Sequence, residues 1–244
     1  MTNASHAGLA LLSAGAAKGL VDALASRWRG PPWQARFGAV GAMQEALRSG
    51  APCDVLIVTD AMAAALEASG ELRPGSRRPL GSVSTGVAVV AGVAPPSIVD
   101  GAALRRSLLE ASALYVPDTE RSTAGAHVVA VLRRLGIHEQ VAERLRMFAS
   151  GAVSMTALAA SGDAEAIGCT QVTEILYTPG VTLVGRLPEG YELETIYSAA
   201  IAQDVADEAE ARRFIDLLTG ADSLPLRRAG GFESIAPNFR QEKP

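Results

Sequence analysis

Short apolar runs alternate along this chain with stretches in which apolar residues return every three or four positions, and these two periodicities separate buried strand from amphipathic helix. The pattern predicts a strand from Gly8 to Leu12, a helix from Ala17 to Trp28, an extended segment from Trp33 to Phe37, a helix from Gly41 to Ser49 and a strand from Val55 to Val58. A helix from Ala61 to Ser69 and a polar loop from Arg73 to Pro79 come next. Val83 to Gly92 is a β-rich run longer than an average strand, ended by Ala94-Pro95-Pro96, and its length suits a crossing between two lobes.

Beyond the crossing the pattern predicts a helix from Gly101 to Glu110, a strand from Ala113 to Val116, and helices from Ala124 to Leu135, Glu139 to Arg146 and Ser154 to Ser161. Strands from Ala166 to Thr170 and Thr182 to Leu187 follow, and Tyr191 to Ala202 reads as a strand returning to the first lobe. The helix from Asp207 to Thr219 opens on acidic residues and stops before Gly220, as the helix dipole and a C-terminal glycine require. Such alternation predicts an α/β fold with mixed, mainly parallel sheets. Two crossings divide it into a lobe of residues 1–84 with 196–244 and a lobe of residues 85–195, around a cleft that a hinge can close.

Three segments lead glycine or small residues into a helix: Leu11 to Gly19, Phe37 to Ala42, and Asp118 to Gly125. A helix start carries free N–H groups and a partial positive charge, so three of them converging on the cleft would hold one compact anion. Gly15, Gly38 and Gly41 let a ligand approach the backbone closely; the plainer reading is tight strand-to-helix turns.

The 244 residues are 48% hydrophobic, enough for a sizeable core, and 22 basic against 26 acidic side chains give a net charge of −4 without any basic run. That balance argues against nucleic acid as a partner, and the absence of a run of about eighteen apolar residues argues against a membrane span. Cys53 and Cys169 lie in apolar runs and read as reduced residues buried on strands, with no metal-like spacing. No metal or cofactor is called for, and nothing specifies an oligomeric state. Met1 to Gly8 lack the basic and apolar parts of an export signal, so the expected compartment is the cytoplasm, or the periplasm if a leader was removed.

Ser13 to Leu20, Phe37 to Asp60 with its Gly-Ala-Pro-x-Asp entry to a strand, Asp118 to Gly125, and Ala166 to Glu174 occur in the order of a known family. Together they resemble the type II periplasmic-binding-protein fold, in its molybdate-binding branch, over about Gly8 to Phe232. The resemblance implies a two-lobed fold that presents serine hydroxyls from the first two loops and a tyrosine near position 171 to a tetrahedral oxyanion. This chain departs from that pattern: Gly15 stands for the first serine with Ser13 beside it, Ala39, Val40 and Gly41 stand in the second loop, and Gln171 replaces the tyrosine. Relatives of the molybdate binders, aconitate isomerase among them, use the same cleft for unsaturated organic acids, which makes a small carboxylate the chemically reasonable guest.

Candidate ligand contacts are Ser13, Gly15, Ala16 and Lys18 in the first loop, Gly38, Ala39, Val40 and Gly41 in the second, and Thr85 at the crossing. Arg121, Ser122, Thr123 and Gln171 complete the set. Lys18 supplies a counter-charge or points to solvent. Arg121 forks onto a carboxylate or lies solvated beside a capping Ser122 or Thr123. His127, one turn after Thr123, and Glu174, beyond a strand end, are the candidate proton carriers; their plainer readings are helix packing and a helix or turn cap. His6 and His138 read as surface residues, and Tyr177 and Tyr197 as weaker candidates. By its likeness to aconitate isomerase, the chain is expected to bind a small organic carboxylate and to shift a proton across its double bond without a cofactor. The alternative is a non-catalytic receptor for molybdate or an organic anion, serving an ABC transporter or a sensor.

Overall fold

All six residues of strand β1 (Leu9–Ala14) are buried, as a continuous apolar run demands. In the computed structural model, which describes residues 8–235, β1 lies between two parallel neighbours. One is β2 (Trp33–Gly38), reached through a 3-10 turn at Gly15–Ala17 and helix α1 (Lys18–Leu24); the other is β3 (Val55–Thr59), reached through α2 (Val40–Arg48). Asp54 enters β3 buried, its carboxylate accepting the Ala10 N–H at 2.7 Å and the Ala206 N–H at 3.0 Å. After α3 (Asp60–Ala68) the chain enters β4 (Arg78–Val90), thirteen residues long.

The second half runs through α4 (Gly101–Glu110), β5 (Leu114–Pro117), α5 (Thr123–Arg134), α6 (His138–Val141), β6 (Leu145–Phe148), α7 (Gly151–Ser161), β7 (Ile167–Gln171), α8 (Val172–Tyr177) and β8 (Val181–Arg186). It returns through β9 (Glu194–Ile201) to α9 (Glu208–Thr219) and α10 (Leu224–Ala229). Strand order is β2-β1-β3-β9-β4-β7-β5-β6, with β8 also on β4. Pairing is parallel for β1 with β2 and β3 and for β5 with β6 and β7, and antiparallel wherever β4 or β9 takes part, so the sheets are mixed.

The start of β4 pairs with β9 and its end with β7 and β8, so one strand serves both lobes. One apolar cluster draws on residues between Leu9 and Val83 and between Tyr197 and Phe232; two others lie between Val87 and Tyr191. In the first, Phe214 of α9 meets the rings of Trp28 and Trp33 edge-on, at 5.3 and 5.0 Å between centroids.

Most predicted elements are present, and the exceptions have local causes. The predicted helix from Glu139 to Arg146 stops early: α6 gives way to a 3-10 turn at Ala142–Arg144, and Leu145 to Phe148 form strand β6 on β5. Four residues, of which only Glu139 and Gln140 favour helix, carry too little propensity to resist a parallel edge pairing, where Phe148 stacks on Tyr115 at 5.7 Å. The α7 helix starts at Gly151, before the predicted Ser154, because Ser150 Oγ accepts the Val153 N–H. Helix α8, six residues long, was not predicted; so short a run leaves no periodicity to read. Cys169 is buried on β7, but Cys53 sits half-buried in the loop before β3, since Asp54 binds two loop and strand amides and delays the ladder to Val55. Burial pushes both free thiols up to about 12, which leaves them inert.

Replacing Phe214 by Ala empties the contact between the two indoles and should cost about 3–5 kcal/mol of stability. Urea unfolding followed by tryptophan fluorescence measures it; a loss below about 1 kcal/mol would mean that the α9 face is not part of the first lobe's core.

Candidate functional site

Where β7 runs directly into α8, Glu174 is the third helical residue and its side chain turns back to accept the Gln171 N–H, half of a capping box. The same carboxylate accepts the N–H groups of Gly151 and Ala152 at the start of α7, and the Thr170 hydroxyl donates to its Oε2 at 2.6 Å. It is 5% exposed. Any side chain at Gly15 would collide with Oε1, and any at Gly151 with Oε2 and Thr170, so glycine at both positions makes room for this carboxylate. Tyr177, one turn on, donates its hydroxyl across the cleft to the Gly15 carbonyl at 3.1 Å. Burial raises the Glu174 pKa, against the four hydrogen bonds that lower it. Burial, and then the charge of Glu174, raise the phenols of Tyr177 and Tyr197 as well.

Thr85 and Gln171 are register partners across β4 and β7, as are Val83 and Thr195, and Gly81 and Tyr197, across β4 and β9. Residues two apart on β4, with their cross-strand partners, share one face of the sheet. On it the Thr85 and Thr195 hydroxyls and both polar atoms of the Gln171 amide are buried without a hydrogen-bond partner of good geometry, with the Tyr197 phenol beside Gln171. Ser154, one turn into α7, is likewise buried and unpartnered. Native interiors leave few such groups, so these call for a polar partner, an ordered water or a ligand.

Side chains cap the starts of α3 (Thr59), α4 (Asp100), α5 (Ser122), α7 (Ser150) and α9 (Asp207). The turn at Gly15–Ala17, α1 and α2 have no side-chain cap among the described residues. These are two of the three starts the sequence singles out, and Gly15 lies beside the Gly38 carbonyl. The Gly41 N–H is already engaged: it donates to the Arg121 carbonyl across the lobes at 3.1 Å.

The remaining expected residues are distributed unevenly. Ser13, Ala16, Ala39 and Val40 are buried around the first two helix starts, with the Ser13 hydroxyl on the Ala14 carbonyl. Lys18 pairs with Asp22 on its own helix, over the Phe37 ring. Arg121 faces Glu45 of α2 at 3.5 Å, both side chains largely exposed. Ser122 caps α5, accepting the Gly125 N–H. Thr123 is the one expected residue on an interlobe cavity of about 420 Å³, whose walls include Thr59, Asp60, Ser82, Glu194 and Ile196. The His127 Nε2 lies 2.8 Å from the Tyr191 carbonyl, a packing role. His138 meets Glu139 at the surface, and His6 lies outside the described residues.

Sequence reasoning missed the α7 start at Ser150, Gly151 and Ala152, together with Ser154, Thr170 and Thr195. A Ser-Gly step before a small-residue run is a helix-start signal, and it stood four residues ahead of the predicted helix.

Residues 9–233 match the sequence profile of a family described as bacterial extracellular solute-binding protein. An aconitate isomerase from a Pseudomonas species is 26% identical over 185 residues, 75% of this chain and 68% of that protein. Among solved structures, the Azotobacter vinelandii periplasmic molybdate-binding protein superposes with a TM-score of 0.78 at 20% identity, covering 93% of this chain and 99% of the other. The sulfate-binding protein SubI of Mycobacterium tuberculosis gives 0.69 at 18% identity, over 96% and 88%. These likenesses bear out the two-lobed α/β fold. Among the described residues no helix is long and apolar enough to cross a membrane.

A carboxylate whose proton affinity is raised in the fold contributes stability below its ordinary value of 4.5 and loses it as pH rises through the folded value. Glu174→Gln removes this titration. The stability of the Gln variant relative to wild type should therefore increase between pH 4 and pH 8, as read from thermal midpoints at each pH. A difference that decreases over that range would mean that the four hydrogen bonds outweigh burial.

Proposed function

Since the chain belongs to the bacterial extracellular solute-binding protein family, we propose that it is a two-lobed receptor that closes on a small organic carboxylate. The lobes are residues 1–84 with 196–244, and 85–195. The observation that carries the reading is the buried, unpartnered set of Thr85, Gln171 and Thr195 beside two helix starts without caps. In this reading the amides of Gly15, Ala16 and Val40 meet the ligand's oxygens while Thr85 and Gln171 fix its orientation. Neutral donors of this kind hold an anion without bringing full charges out of water. The family description points outside the cytoplasm, so the cytoplasmic expectation carries no weight here.

A second reading, isomerisation of an unsaturated acid, has two supports: the 26% identical aconitate isomerase and a buried carboxylate of raised proton affinity in the cleft. Glu174 would carry the proton, since His127 is turned to Tyr191.

A panel of di- and tricarboxylates should raise the thermal midpoint of the wild type, and Gln171→Ala should weaken binding about tenfold or more, the loss of one or two buried hydrogen bonds. No shift with any acid would sink the receptor reading. Following cis- and trans-aconitate by NMR in D₂O separates the two readings: deuterium entering the substrate means catalysis, and unchanged substrate that still stabilises the protein means binding alone.

A further inference from the structure

Resting on the receptor reading, we infer that Glu174 makes ligand binding proton-coupled, so that the site selects anions able to share a proton and rejects the oxyanions of strong acids. The chain's own carboxylate already occupies one end of the seat: it takes the α7 amides and Thr170, and its Oε1 lies against the backbone of Gly15, the first of the uncapped helix starts. Oε1 stands where a Cβ of residue 15 would be, so a ligand oxygen seated against that side of Gly15 comes up against Glu174. Two carboxylates at contact distance cannot both stay ionised, and a single proton held between them relieves the repulsion.

Among the described residues no unpaired cation faces Glu174 to do the same. Helix α7 has no titratable side chain between Gly151 and Ser161, and β9 contributes Tyr197 and α8 Tyr177, both phenols held neutral by burial. From α1, Lys18 and Asp22 are paired with each other. The β4 and β7 strands present Thr85, Thr170 and Gln171, and the Cys169 thiol is buried in the second lobe's core. Closure thus takes one proton from solvent per ligand bound, placed between Glu174 Oε1 and a ligand oxygen. A carboxylate is the anion of a weak acid and can share that proton once it abuts Glu174, whereas sulfate, the anion of a strong acid, holds a proton far less readily. Gln171, only 2% exposed and with the Tyr197 phenol beside it but no partner of good geometry, and the buried Ser154 hydroxyl are the donors left for the rest of the ligand.

Calorimetric titration of the full chain with cis-aconitate, in MOPS and in Tris between pH 6 and pH 8, reads the proton directly from the difference in buffer heat. The wild type should take up about one proton per ligand and lose about tenfold in affinity per pH unit at the alkaline end. Glu174→Gln should bind with no proton uptake and no such slope, and should admit sulfate, which the wild type rejects. Wild-type binding without proton uptake, or wild-type binding of sulfate as tight as that of the acid, overturns the inference. If the wild type binds no acid at all, the receptor reading fails, and sulfate then decides: a Gln variant that gains sulfate upholds the filter, and one that does not overturns it.

Discussion

The antiparallel pairing of β4 with β9 is the constraint on which the molecule depends. β4 is long enough to belong to the first lobe's sheet over Arg78 to Ser84 and to the second's over Thr85 to Val90, and β9 brings the chain back along it. Each lobe then has its own apolar core and its own parallel strands, and the ends of those strands, with the helices that follow, meet over the pair. The register also aligns Tyr197, Thr195, Thr85 and Gln171 on one face, which is why polar groups far apart in sequence share the cleft. A slip of one residue would turn all of them to the opposite face.

Across that cleft the lobes meet through backbone and rim contacts. Gly41 donates to Arg121, Arg121 faces Glu45, Tyr177 donates to Gly15, and Arg186 of β8 pairs with Glu233 near the end of the described chain. Exposed ion pairs of this sort are worth little singly, so the contact between the lobes stands on shape and on the hydrogen bonds from Gly41 to Arg121 and from Tyr177 to Gly15. A carboxylate at a helix start is favourable for the dipole and costly for its desolvation. The two small residues Gly15 and Gly151 let it in, and the four donors around it offset much of that cost.

Much of this was legible in the chain. The strand and helix periodicities placed the α/β alternation, Val83 to Gly92 announced a crossing, and the glycine-led starts at Gly15 and Gly38 are among those without side-chain caps. Thr85 and Gln171 were named as site residues and are buried without partners. Lys18, Arg121 and His127 were legible only as polar residues of the right type: which way a long side chain turns depends on Asp22, Glu45 and the Tyr191 carbonyl, and only the fold brings the last two near. The α7 start escaped because its helix is apolar on nearly all sides and gives no sharp periodicity at its boundary.

By itself, then, the sequence determined most of the strands and helices, their division between two lobes, and two glycine-led helix starts without side-chain caps, because these follow from local periodicity, caps and glycine. Only the tertiary structure decided that Glu174 of α8 would meet the amides of α7 and the backbone of Gly15, and that Arg121 would be spent on Glu45. The physical reason is range. Hydrophobic pattern acts within a turn or a strand, whereas the environment of a buried charge is set by groups more than a hundred residues apart, brought together when two sheets share a strand.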